Sequence, residues 1–156
     1  MIQRKQSLFL LVAVICYAIC LFLPVASVEA KTMGGNVAVH CLGTVSGDNG
    51  ILFDSTCLPL FALCAVSALV ALVTIFMYNN RKLQMNLCKI CMLFTGLWYV
   101  DYVLMFLGVV GLEKVEGTFQ LGFGACLPLV SLILTYMALR GVESDEKLIK
   151  AADRIR

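Results

Sequence analysis

The hydrophobic residues of this chain are gathered into four long runs, and the polar residues lie almost entirely between them. The runs cover residues 7–28, 58–78, 89–112 and 119–140. A helix that crosses a bilayer needs about 20 mainly apolar residues, and each run reaches that length. None of them alternates apolar and polar residues as the strands of a membrane β-barrel do. The pattern therefore predicts an all-α membrane protein with four transmembrane helices, packed as an antiparallel four-helix bundle.

Composition favours a membrane protein over a soluble one. Hydrophobic residues make up 61% of the 156 positions and charged residues 14%, whereas soluble domains average about 45–50% and about 25%. A soluble chain of this length could not bury so much apolar surface in one core. We therefore expect one transmembrane domain over residues 1–156.

The distribution of Lys and Arg predicts the orientation of the chain. Ten of the twelve lie at the chain ends or around the connection between the second and third runs, and only Lys31 and Lys114 lie elsewhere. The positive-inside rule then places both termini in the cytoplasm and residues 29–57 in an extracytoplasmic loop. The net charge of +2 follows from this bias. No nucleic-acid partner is therefore predicted.

The first run has a competing interpretation. Arg4 and Lys5, a short apolar stretch and the sequence Val28-Glu29-Ala30 together resemble a cleavable secretion signal. The apolar run continues past Pro24 instead of breaking into a polar region, which favours a retained helix. Either alternative leaves the topology of the other three helices unchanged.

The extracytoplasmic loop carries a pattern typical of a small β-hairpin. Val37, Val39 and Cys41 alternate with other residues, as in a short strand, and residues 47–50 read Gly-Asp-Asn-Gly. Such a tetrapeptide favours a turn that would send the chain back along the strand. A hairpin is therefore possible here, but it is too small to form an enzyme domain.

Small residues predict where the helices approach each other closely. They recur at helical spacing in the second run and at the start of the fourth, and such stripes let helix backbones come together in lipid. Ala and Gly are also common in membrane helices generally, which is the alternative explanation. The positions concerned are Cys64, Ser67, Ala68, Ala71, Gly122, Gly124 and Ala125.

Residues 143–156 predict a C-terminal amphipathic helix with a basic face. Apolar residues recur there at helical spacing, and the basic residues between them are Lys147, Lys150, Arg154 and Arg156. This pattern is typical of a helix on the inner membrane surface that contacts anionic lipid or a partner. A solvated helix end is the alternative.

Asp101 is the one charged residue well inside a predicted span. It follows Lys89 by twelve residues, so at about 1.5 Å per residue it lies about 18 Å deep, close to the bilayer centre. An ionised carboxylate costs about 2.5–3.5 kcal/mol there. We expect Asp101 either to stay protonated and hydrogen-bond a neighbouring helix, or to carry protons or ions. The candidate bonding partners are Tyr17, Thr74, Thr135 and Tyr136.

Two pairs among the eight cysteines suggest chemistry. Cys41 and Cys57 fall in the predicted outer loop, and a disulfide between them would enclose fifteen residues, stabilising the fold by about 3 kcal/mol. Cys88 and Cys91 have the Cys-x-x-Cys spacing of thiol redox motifs, although on a helix this spacing simply places both on one face. The other cysteines lie in apolar surroundings, where cysteine acts as a small hydrophobic residue.

No pattern of residues predicts an enzyme, a metal site or a cofactor. The single histidine, His40, would lie across the membrane from Cys88 and Cys91, so a tetrahedral zinc site lacks ligands. The sequence also lacks a Ser/His/Asp set on one side and a Gly-rich phosphate loop. We therefore expect a protein without catalytic activity.

Three stretches of sequence resemble one family. They are the N-terminal MIQRKQS, the central NRKLQMNLC and the C-terminal DEKLIKAADRIR, which follows a Gly-Ala-x-Leu-Pro-x-x-Ser run in the fourth span. The chain resembles the four-helix membrane proteins of Bacteroidetes grouped as domain of unknown function 4293. The resemblance covers essentially the whole chain except the outer loop. It implies a location in the bacterial inner membrane and an uncleaved first helix, and it implies no activity.

These observations lead to three hypotheses about function. The first is a small non-enzymatic inner-membrane protein that associates with membrane lipids, other membrane proteins or copies of itself. The second is a proton- or ion-coupled transport component that uses Asp101. The third is a membrane thiol-redox protein that uses Cys88 and Cys91.

Overall fold

A computed structural model describes residues 3–30, 36–46, 52–53, 57–77, 80–107 and 117–153 of the chain. Four α-helices account for most of these residues. They are α1 (Gln3–Phe22), α2 (Leu58–Phe76), α3 (Arg81–Phe106) and α4 (Cys126–Asp153). The described ranges also contain a short 3-10 helix at Phe123–Ala125 and five short β-strands. The strands are β1 (Pro24–Ala30), β2 (Asn36–His40), β3 (Gly43–Ser46), β4 (Leu52–Phe53) and β5 (Gly117–Leu121).

The helices pack in the cyclic order α1, α2, α3, α4, so that each contacts two neighbours. Contacts at the two ends of α1 show that α4 runs antiparallel to it. The Cys20 thiol lies 3.4 Å from the carbonyl of Gly124 at one end, and Gln6 donates to Asp145 at the other. Helix α2 begins with Pro59 in its first turn, where the missing N–H of proline is not needed for a helical hydrogen bond.

A five-stranded antiparallel sheet covers the end of the helices where α1 finishes and α4 starts. Its strand order is β4-β3-β2-β1-β5. The predicted hairpin is present as β2 and β3, but its turn is at Cys41-Leu42, directly after His40. The Gly-Asp-Asn-Gly stretch at 47–50 lies outside the described residues.

Two predicted span boundaries are wrong at the sheet end. The first run was expected to stay helical to residue 28, but α1 ends at Phe22 and residues 24–30 form β1. The fourth was expected to begin at residue 119, but the chain is in β5 up to Leu121 and α4 begins at Cys126. The two stretches pair with each other across the sequence as β1 and β5, and β1 also pairs with the nearby β2; this pairing satisfies their backbone groups.

The predicted C-terminal helix is present up to Asp153, but it is not separate from the fourth apolar helix. Helix α4 continues without a break from Cys126 to Asp153. Its first turns beyond Arg140 pack on α1, because Val142 is buried and Asp145 accepts a 2.6 Å hydrogen bond from Gln6, whereas residues 147–151 are exposed. The extension therefore belongs to the helix assembly.

The backbone just before α4 lies very close to the backbone of β1, at Gly122 and Gly124. A Cβ atom added to Gly122 would lie 2.6 Å from the carbonyl oxygen of Pro24, and one added to Gly124 would lie 2.7 Å from the same atom. The Gly122 amide also donates to the Val25 carbonyl at 3.0 Å. On α2, Cys64, Ser67 and Ala71 are buried. The glycines thus mark a close approach as predicted, but to the strand β1 and not to another helix.

The outer surface of the helices is apolar and their interior contains polar side chains. Large hydrophobic residues are exposed on every helix, among them Leu8, Leu11, Ile15, Leu69, Leu72, Phe76, Leu93, Leu97, Val100, Leu129, Ile133 and Met137. In contrast, Thr74, Thr95, Ser131 and Thr135 are buried. Among the described residues, three helices are long and apolar enough to cross a membrane: Leu58–Phe76, Arg81–Met105 and Phe123–Ala151. Helix α1 contributes a shorter apolar stretch, Gln6–Phe22.

Candidate functional site

Asp101 lies near one end of its helix. The sequence estimate counted from Lys89, but α3 extends from Arg81 to Phe106, so Asp101 is five residues from the end next to the sheet. The middle of the helix is near Leu93. Asp101 is therefore nearer the end of α3 than its middle, because the helix begins earlier and ends sooner than the apolar run indicated. Its depth in a bilayer stays a prediction.

The side chains expected to bond Asp101 have other partners. Tyr17 bonds to Thr95, and Tyr136 accepts a 3.0 Å hydrogen bond from Arg140. The other two hydroxyls donate within their own helices, Thr74 to the Val70 carbonyl and Thr135 to the Ser131 carbonyl. Among the described residues, no hydrogen bond or ion pair involves the partly buried carboxyl of Asp101. The interior hydroxyl groups therefore bond to each other and to backbone carbonyls, and not to Asp101.

One hydrogen bond joins α1 to α3 at the centre of this interior. The hydroxyl oxygens of Tyr17 and Thr95 are 2.6 Å apart, and both side chains are buried. Because the Thr95 hydroxyl donates to the carbonyl of Cys91 at 2.8 Å, its proton is used and Tyr17 must donate to Thr95. No pattern in the sequence would have predicted a bond between these two residues.

A cluster of three aromatic residues connects α3 to the sheet end. The Trp98 ring stacks on Tyr102 with centroids 5.4 Å apart and meets Tyr99 edge-on at 5.0 Å. The Tyr99 hydroxyl donates to the Ala125 carbonyl at 2.8 Å, and the Tyr102 hydroxyl to the Val25 carbonyl at 3.0 Å. Sequence reasoning missed this cluster, although Trp98 and Tyr102 are one helical turn apart, a spacing at which side chains meet.

The cysteines are placed differently from the sequence prediction. Cys41 and Cys57 are both buried in the core at the sheet end, but the structure does not bond their sulphur atoms to each other. The turn after β2 directs the Cys41 thiol toward α1, where it lies 3.6 Å from the carbonyl of Cys20. The predicted Cys41–Cys57 disulfide is therefore not formed in this structure.

Cys88 and Cys91 face the interior of the helix assembly. Cys88 is fully buried, Cys91 is 1% exposed, and the Cys91 thiol lies 3.5 Å from the Ser67 carbonyl. Thiol exchange needs an accessible thiolate, which this burial prevents. In the described part of the chain, no group of three or more His, Cys, Asp and Glu residues could hold a metal ion.

The basic tail is only partly within the described residues. Lys147 and Lys150 are exposed on α4, and Lys150 forms an ion pair of 2.9 Å with Glu146 one turn earlier. Arg154 and Arg156 lie outside the described residues. The role of all four as a lipid- or partner-facing surface stays a prediction.

The bond between Tyr17 and Thr95 can be tested by substitution. We expect Tyr17→Phe and Thr95→Val each to lower the free energy of unfolding, with a coupling of about 0.6–1.7 kcal/mol between them, the range for hydrogen bonds between membrane helices. The measurement is a double-mutant cycle by thermal unfolding in detergent. Tyr136→Phe, at an exposed position, is the control. Strictly additive effects would show that the two hydroxyls do not interact.

Comparison with known proteins agrees with the resemblance in the sequence. The chain matches the family described as Domain of unknown function (DUF4293) over residues 2–155. Comparison with curated proteins found no match. Because the match covers nearly the whole chain, the protein belongs to the domain of unknown function 4293 family.

Proposed function

We propose that this protein is a four-span inner-membrane protein that associates with membrane lipids and other membrane proteins and catalyses no reaction. The observation that carries the proposal is the apolar outer surface of the helices. An exposed apolar patch of more than a few hundred Å² is unusual on a soluble monomer and marks a membrane or protein contact. Here the exposed apolar residues occur on all four helices, from Leu8 on α1 to Met137 on α4.

Helix α1 fits as the fourth span despite its shorter apolar stretch. Gln6–Phe22 is 17 residues long, which corresponds to about 26 Å of helix, close to the roughly 27–30 Å of a bilayer core. It packs against both α2 and α4, which are long enough to span. Its outward residues Leu8, Leu11 and Ile15 are as apolar as those of its neighbours.

The charges support an orientation with the sheet on the extracytoplasmic side of the membrane. The start of α1, the connection from α2 to α3 and the end of α4 lie at the end opposite the sheet. Eight of the twelve Lys and Arg residues lie in these segments or directly beside them in sequence, at positions 4, 5, 81, 82, 147, 150, 154 and 156. The positive-inside rule places that end in the cytoplasm.

The other two hypotheses have less support. Transport through Asp101 would need polar groups leading to it, whereas the interior hydroxyls bond to each other and to backbone carbonyls. Redox chemistry at Cys88 and Cys91 would need access to two buried thiols. The connections between the helices are short and the sheet covers one helix end. The exposed apolar surface therefore favours contacts with lipids and other proteins as the function.

The topology can be tested with reporter fusions. We expect fusions after Asn80 and after Arg156 to report the cytoplasm and a fusion after Gly47 to report the outer side, because basic residues stay on the cytoplasmic side. The protein should also stay in the membrane pellet after alkaline carbonate extraction. A cytoplasmic signal at Gly47, or release by carbonate, would contradict the proposed arrangement.

A further inference from the structure

A cavity of about 440 Å³ opens at the helix end opposite the sheet. It lies between the start of α3 and the last turns of α4. Its lining residues are Asn80, Arg81, Lys82, Leu83, Glu146 and Ile149. It therefore combines two cationic side chains, one carboxylate and two apolar side chains.

The charge of the cavity is positive. Its carboxylate, Glu146, is paired with Lys150 at 2.9 Å, outside the lining. In the described ranges, neither Arg81 nor Lys82 forms an ion pair of its own. Glu146 also interacts electrostatically with Lys82 and Arg81, so three positive charges at this end face one carboxylate and the balance is positive.

Arg81 carries a donor that is cut off from solvent. Its Nη1 atom is buried, and no hydrogen-bond partner for it lies within the described part of the chain. A buried donor without an acceptor costs about 1–3 kcal/mol, and more when the group is charged. An anion in the cavity would supply the missing acceptor.

The backbone adds further donors at the same place. Asn80 makes no side-chain capping bond, and the first helical hydrogen bond of α3 runs from the Gln84 amide to the Asn80 carbonyl at 2.9 Å. The amides of Arg81, Lys82 and Leu83 therefore have no partner within the helix. Free amides at a helix start attract phosphate and carboxylate groups.

We propose that this cavity binds a phosphate group, supplied by the headgroup of an anionic phospholipid. The lipid source rests on the proposed membrane location, which places this end at the cytoplasmic surface. It is favoured over free phosphate because Leu83 and Ile149 line the same cavity and are 45% and 44% exposed. Apolar walls beside the cations suit the glycerol and upper acyl chain of a lipid, which a free ion does not have.

The test is lipid binding to the purified full-length protein in a non-ionic detergent. Native mass spectrometry would count bound phosphatidylglycerol and phosphatidylcholine with identical acyl chains, added in equal amounts. We expect preferential binding of phosphatidylglycerol. The double substitution of Arg81→Gln and Lys82→Gln should reduce that preference by about 30-fold, because each cation near a membrane surface contributes about fivefold. Lys89→Gln, an exposed residue on the same helix that does not line the cavity, should leave the preference unchanged.

Lys82→Gln alone keeps the test valid if the double variant does not fold, because Lys82 is exposed; we expect about a fivefold loss. Equal binding of the two lipids by the unmodified protein would overturn the proposal, and so would an equal loss in Lys89→Gln. Binding of inorganic phosphate without a preference for phosphatidylglycerol would overturn the lipid source. If the protein stays in membranes but does not prefer phosphatidylglycerol, only this inference is overturned. The proposed membrane function is tested separately, by fractionation and topology.

Discussion

Gly122→Ala is expected to destabilise the protein by about 3 kcal/mol or more, the upper range for overpacking. The new methyl group would lie 2.6 Å from the Pro24 carbonyl oxygen, 2.7 Å from the carbonyl carbon of Val25 and 2.8 Å from the Ala26 amide nitrogen. All three are backbone atoms of β1, so no side-chain rotation can relieve the overlap. The strand would have to move away from the start of α4, breaking the 3.0 Å bond from the Gly122 amide to Val25.

Three other glycines provide a graded comparison. Gly124→Ala should be similarly damaging, since its Cβ would lie 2.7 Å from the Pro24 carbonyl oxygen. Gly141→Ala should be milder, because the atom it meets is the flexible Gln6 Cγ at 2.9 Å. Gly96→Ala is the control: nothing lies within 4 Å, and Ala in a helix interior stabilises by about 0.5–1 kcal/mol relative to Gly.

Thermal unfolding of the four variants in detergent, followed by size-exclusion chromatography, measures this order. A Gly122→Ala protein as stable as Gly96→Ala would show that β1 does not lie against the start of α4. Loss of stability in Gly96→Ala would show instead that α3 is not packed as described.

Trp98→Ala is the second substitution with a large expected effect. Removing a buried indole typically costs about 3–5 kcal/mol, and Trp98 is 1% exposed. Its ring also holds Tyr102 by stacking and Tyr99 edge-on. We therefore expect the loss to extend to the hydrogen bonds from those tyrosines to Val25 and Ala125, loosening the sheet from the helices.

Trp98→Phe separates the ring contacts from the indole N–H. Within the described residues the Trp98 Nε1 atom is buried without a hydrogen-bond partner, so Phe removes an unsatisfied donor while keeping an aromatic ring. We expect Trp98→Phe to cost less than half as much as Trp98→Ala. Tyrosine fluorescence and unfolding temperature in detergent would compare the variants. A Phe variant as unstable as the Ala variant would mean that the N–H has a partner.

The sequence determined the helices and the orientation expected for them. The runs that became α2 and α3 need no tertiary information, because an apolar stretch of this length can satisfy its backbone in lipid only as a helix. Pro59 marked the start of α2 for a local reason, since its missing N–H is not needed in the first turn. The glycines at 122 and 124 also signalled close packing in advance, although not the strand that they contact.

Only the tertiary structure decided what happens at the two ends of the helices. Residues 24–28 continue the apolar run of α1, and they form a strand because β2, which follows soon after, and β5, which is remote in sequence, supply their hydrogen-bond partners. The helix beyond Arg140 looked like a surface segment, and it packs because Gln6 reaches Asp145 across 139 positions of the chain. The approximate length of a helix and the distribution of its flanking charges can be predicted from the local sequence, because they depend on neighbouring residues alone. Strand pairing, the Tyr17–Thr95 bond and the cavity at Arg81 depend on residues that meet only after the chain has folded.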